Sequence, residues 1–133
     1  MTSTSIQPSI PIITHVEHID DEHKWEEYKI TVTNGTKQFY LICKMDTTSQ
    51  CCEQFYFGAT IPDGFIGSAY VGTTVVVNRA SVPDDYDDYA RELYVTIHTS
   101  SLPMVITCTN RHNGYYVHDV YVKTDTIDTY YKL

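Results

Sequence analysis

Apolar and polar residues alternate along much of this chain, and the alternation is clearest in YKITVTNGTKQFYLICK (Tyr28–Lys44). Two alternating segments meet there at Asn34-Gly35. Asn-Gly supplies the positive φ angles of a tight two-residue turn whose twist suits a β-hairpin. With that turn, Ile30 is expected opposite Phe39 and Tyr28 opposite Leu41, all on one face. LYVTIHT (Leu93–Thr99) alternates as cleanly, with Leu93, Val95 and Ile97 inward. PMVITCTNRHNGYYVHDVYVK reads as a second hairpin about Asn113-Gly114, placing Ile106 opposite Tyr121 and Thr109 opposite His118.

The remaining segments are read more coarsely. Ile12–Ile19 is a first strand, and Asp20–Glu27 a charged turn or single helical turn with Trp25 as its one large anchor. Cys51–Ile66 has no period and holds Gly58, Pro62, Asp63 and Gly64, which marks a loop. Thr73–Ala80 is a strand with Val75 to Val77 as its buried part, SVPDDYDDYARE an acidic loop, and TDTIDTYYKL a last edge strand. Six to eight strands with almost no helical period predict an all-β fold, mainly antiparallel, as a sandwich or partly open barrel. Residues 1–11 are polar, with two prolines, and read as an arm ahead of one β-rich domain, 12–133.

Composition sharpens this picture. A chain of 133 residues fits one domain of ordinary size, large enough for a core. Twelve tyrosines against four phenylalanines and one tryptophan favour strands and half-wet surfaces, because the ring packs while the hydroxyl reaches water or a partner. The formal charge of −8, with no Lys/Arg cluster, argues against nucleic acid and an anionic membrane surface as partners. No apolar run approaches the ~20 residues of a membrane-spanning helix, and no signal-peptide pattern opens the chain. A reducing cytosol is the expected compartment, with the four cysteines as thiols.

Three groups carry candidate chemistry. Cys51 and Cys52 are adjacent and precede Glu53. They lack zinc-ligand spacing, so a metal would need His112 or His118 from elsewhere; with no lysine or arginine within six residues, nothing local lowers a thiol pKa. A packed corner with Glu53 capping a turn is the leading reading. Asp84, Asp85, Asp87, Asp88 and Glu92 supply hard-cation oxygens but not the order of an EF-hand, and a solvated loop explains them as well. His15 and His18 would face opposite sides of a strand, and His118 beside Asp119 is a candidate general base, although a half-exposed sheet histidine is the commoner case. No nucleophile elbow, phosphate loop or dinucleotide fingerprint is present. We therefore expect no catalytic residues, no cofactor and no resident metal.

The order Asp46, Cys51, Cys52, Glu53, Phe55, then DGFIG (Asp63–Gly67), an acidic stretch, an alternating strand and NGYY (Asn113–Tyr116) resembles an uncharacterised domain-of-unknown-function family of bacteriophages and large DNA viruses, over about Ile30 to Lys123. The resemblance implies a virus-encoded β domain in the host cytoplasm or virion, with its two motifs close together. One tyrosine of Tyr115 and Tyr116 would then cover the Cys51-Cys52 corner, or Glu53, Tyr116 and His118 would line a small polar pocket. Cys51, Cys52, Glu53, Asn113, Gly114, Tyr115, Tyr116 and His118 are accordingly the candidate motif or pocket. The functional expectation is a non-enzymatic binding or assembly protein, a small virion component or adaptor, with a protein partner or self-association. The alternative is a small-ligand or metal-binding module that counters a host defence.

Overall fold

The computed structural model describes residues 10–22, 24–48, 54–81, 89–112 and 117–133. These form two antiparallel sheets packed face to face, with no helix among them. β1 (Ile12–Asp21), β2 (Trp25–Asn34), β3 (Lys37–Asp46), β8 (Asp119–Lys123) and β9 (Asp128–Lys132) make the larger sheet, in the order β1-β2-β3-β8-β9. β4 (Gln54–Thr60), β5 (Tyr70–Ser81), β6 (Tyr89–Thr99) and β7 (Met104–His112) make the smaller, in the order β4-β7-β6-β5. The arrangement is a sandwich rather than a closed barrel.

The expected alternation builds the core. Ile13, Ile30, Val32, Leu41, Met45, Val120 and Val122 point inward from the larger sheet, and Leu93, Val95, Ile97, Met104 and Ile106 meet them from the smaller. Each is at most 2% exposed. Burying a side chain of this kind contributes roughly 1.5–3 kcal/mol before chain entropy is counted. Ring contacts bridge the layers: Tyr28 to Phe57 at 5.2 Å and Phe39 to Tyr70 at 6.0 Å. Main-chain bonds also tie β1 to the turn that enters β5, with Ile13 N–H donating to Ser68 and Tyr70 N–H to Pro11.

The first hairpin is present with the expected faces and a different register. Ile30 lies opposite Leu41, Tyr28 opposite Cys43 and Val32 opposite Phe39, two residues along from the predicted pairs. Asn34 pairs with Lys37, so Gly35 and Thr36 form the loop, with Gly35 at φ +65°. Gly35 thus takes the first central position, where a left-handed angle is required and glycine carries no Cβ penalty. A slip of two leaves every side chain on its own face, which is why the core assignment survived.

Other expectations are overturned. The second hairpin does not exist: β7 pairs with β4 and β6 in the smaller sheet, while β8 pairs with β3 and β9 in the larger. Ile106 therefore faces Val95 and Ala59, Thr109 faces Glu92 and Tyr56, and Tyr121 points out of the sandwich beside Tyr130. The stretch read as a loop over Cys51–Ile66 contains β4, whose inward residues are Phe55, Phe57 and Ala59. Asp20–Glu27 is mostly strand, with turn positions at Glu22 and at Lys24, where Lys24 N–H donates to Asp21. β5 is an edge strand, and its Val76 and Val77 are each 50% exposed rather than buried; only Val75 packs on the core. The tail is the expected edge strand, β9.

Candidate functional site

The outward-facing positions of β2, β3, β8 and β9 create an open concavity on the described surface. Strand alternation sends Trp25 and Glu27, Ile42, Lys44 and Asp46, Asp119 and Tyr121, and Tyr130 to the same side of four neighbouring strands. With Lys24 at the turn, they line an open groove of about 460 Å³. The ladder fixes their neighbours: Trp25 opposite Asp46, Glu27 opposite Lys44, Lys44 opposite Tyr121, and Tyr121 opposite Tyr130.

Each wall has a physical support. The Lys44 ammonium lies 4.2 Å from the centre of the Trp25 ring, a cation–π contact. Lys29 repeats the arrangement on Tyr40, at 4.1 Å, further along the same face. Tyr121 and Tyr130 stack at 4.5 Å. The Tyr121 hydroxyl donates to Asp128 at 2.7 Å, and that hydrogen bond holds its pKa up to about 12. Lys132 pairs with Asp119 at 2.8 Å. Tyr130 keeps 69% of its surface exposed, so one aromatic face remains open to an incoming group. The chemistry on offer is stacking and charge pairing.

The sequence singled out different residues. Cys51, Cys52, Glu53, Asn113, Gly114, Tyr115 and Tyr116 lie outside the described residues, as do Asp84, Asp85, Asp87 and Asp88. Glu92 sits on β6 and accepts a hydrogen bond from Tyr94 at 2.7 Å. The remaining candidate, His118, precedes β8 and is 2% exposed, not half-exposed. Its Nδ1 donates to the Asp46 carbonyl, and its ring lies 5.0 Å from Phe55. Its main chain exchanges hydrogen bonds with Leu133, whose oxygen also accepts from buried Asn110 at 3.0 Å. Residues flanking the two motifs, Asp46 and Phe55 on one side and His118 on the other, therefore meet at this end of the sandwich. A ring so enclosed cannot reach a substrate unless the sandwich end opens.

His15 and His18 do face opposite sides. His18 lies over Tyr28 at 4.6 Å and pairs with Glu26 at 3.0 Å. Among the described residues, no three His, Cys, Asp or Glu side chains gather as metal ligands. No helix among them is long and apolar enough to cross a membrane.

Sequence reasoning missed the groove because it assigned Trp25 to a turn and set Tyr121 opposite Ile106 in a hairpin. Val120 and Val122 flanking Tyr121 carried the contrary signal: if the valines point in, the tyrosine points out. No curated protein and no solved structure matches the chain. A family model does match, over residues 9–122, reaching further toward the N-terminus than the motifs alone indicated. The chain belongs to the DUF7448 family, a domain of unknown function.

Proposed function

We propose that this chain is a non-enzymatic binding protein that docks an extended, Arg/Lys-bearing segment of a protein partner in the groove of the larger sheet. The observation that carries the reading is the open groove lined by Trp25, Tyr121 and Tyr130 with the carboxylates of Glu27, Asp46 and Asp119. Aromatic side chains with polar tips are favoured at interfaces, and a guanidinium stacks on an open tyrosine face as Lys44 already stacks on Trp25. The net charge of −8 steers a cationic partner toward the protein. In the virus-encoded setting that the motif resemblance implies, the role is that of a small virion component or adaptor in the host cytoplasm.

A small-ligand module is the second reading, favoured by the groove volume of about 460 Å³, which lies within the usual small-molecule range of about 300–1,000 Å³. An amide-resonance titration of the labelled protein with an oligoarginine peptide tests the first. Shifts centred on Trp25, Lys44, Tyr121 and Tyr130 support it. Shifts spread evenly over the acidic surface, or confined to β5, would sink it.

A further inference from the structure

The contact between Tyr28 and Phe57 brings together two rungs that belong to different sheets. Tyr28 is paired across β2 and β3 with Cys43, and Phe57 across β4 and β7 with Cys108. The other members of the two rungs, Cys43 and Cys108, lie in the same core cluster, close enough for each thiol to act on the other. Both cysteines are free, and they are 1% and 0% exposed. β3 and β7 are interior strands of their sheets, so the two sulfurs sit in the middle of the core rather than at a fraying edge.

We propose that Cys43 and Cys108 are a cross-sheet disulfide pair, closed when the chain folds in the presence of a disulfide oxidant such as oxidised glutathione. The balance is that of thiol–disulfide exchange. One thiol loses its proton and attacks the oxidant's S–S bond, forming a mixed disulfide and releasing one glutathione thiolate, which takes up a proton. The second cysteine then loses its proton and displaces the other glutathione. Two electrons pass from the protein thiols to the oxidant, one S–S bond forms in the protein and one breaks in the oxidant.

The surroundings set when this happens. Donation of the Cys43 proton toward the Cys108 sulfur, followed by burial, holds the Cys43 thiol well above its ordinary pKa, and the nucleophile in exchange is the thiolate. Both sulfurs are also closed off from solvent, so an oxidant does not reach them in the folded protein, and the bridge closes during folding or on opening of the core. In a reducing compartment the same residues serve as packed thiols between Leu41, Met45, Leu93 and Ile106. A bond there would tie the centres of the two sheets, as inter-sheet disulfides do in other sandwiches.

The test uses the full chain with Cys51→Ser and Cys52→Ser, refolded from urea with reduced and oxidised glutathione, and the wild type in parallel. In the double variant the intact mass falls by two hydrogen atoms, and trypsin without reductant releases Gln38–Lys44 joined to Glu92–Arg111. The bridge closes a loop of roughly 65 residues, so the melting temperature rises by roughly 10 °C and returns on reduction. In the wild type the same linked peptide is recovered. Full alkylation of both cysteines after native refolding in oxidant overturns the proposal. So does a bridged product that melts lower than the reduced one, or a wild type in which Cys43 and Cys108 are joined only to Cys51 or Cys52.

Discussion

Lys44 holds its ammonium 4.2 Å above the Trp25 ring, reaching diagonally across the β2–β3 ladder from its own partner Glu27. The contact joins two residues of the groove lining, on β3 and β2. Exposed cation–π pairs are worth about 0.5–1 kcal/mol. Lys44→Met should therefore cost less than about 1 kcal/mol in urea denaturation, while changing the emission of Trp25, the one tryptophan in the chain. A large loss of stability would mean that Lys44 supports the fold rather than the groove.

Ile30 is fully enclosed, between Val16 on β1 and Leu41 on β3 and facing the smaller sheet. Ile30→Ala should destabilise the protein by about 2–5 kcal/mol, the usual cost of lost transfer energy plus a residual cavity. Val76→Ala, on the exposed face of edge strand β5, should change stability by no more than about 0.5 kcal/mol. Chemical denaturation of the two variants checks the orientation of the sheets.

His118→Ala removes a buried donor to the Asp46 carbonyl and the ring that packs on Phe55. Leaving that carbonyl without its donor and a void beside Phe55 should cost roughly 2–4 kcal/mol. Binding at the groove should be unchanged once the variant is folded. A His118→Ala protein of wild-type stability that loses ligand would restore the polar pocket suggested by the motifs.

Tyr70 donates its hydroxyl to Asp125 at 2.9 Å, joining β5 to the turn between β8 and β9. Burial first, and Asp125 after it, hold this phenol up to about 12 against an ordinary 10.0. The folded state thus keeps the proton that the unfolded chain releases. Its stabilising contribution is complete below pH 10 and is lost as the pH rises toward about 12. Across that window the melting temperature of the wild type should fall more steeply than that of Tyr70→Phe. Parallel slopes would show that Tyr70 does not govern the alkaline limb.

Much of the sandwich could be read from Leu93, Val95 and Ile97 on β6 and from the two arms about Gly35, because a half-buried strand writes its environment into a period of two. The register of that hairpin was not legible: Asn34-Gly35 and Gly35-Thr36 are both acceptable two-residue turns, and pairing outside the turn decided between them. β4 escaped because Phe55, Tyr56 and Phe57 are apolar on both faces of an edge strand, which erases the alternation. The false second hairpin came from reading Asn113-Gly114 as sufficient, whereas β7 and β8 find their partners in different sheets. The groove was hidden for a related reason. Its residues lie on four strands, and only the sheet order brings Trp25, Lys44, Tyr121 and Tyr130 side by side.

The central claim is that the larger sheet binds a cationic segment through its aromatic groove, and the emission of Trp25 reports on it directly. We would titrate an oligoarginine peptide into the wild type, Tyr130→Ala and the double variant Glu27→Gln/Asp46→Asn, at low and at physiological salt. The account predicts a saturable change in the wild type, weakened by salt and reduced at least tenfold in affinity in both variants, each with its melting temperature retained. No saturable change in the wild type, or equal affinity in Tyr130→Ala, would contradict it.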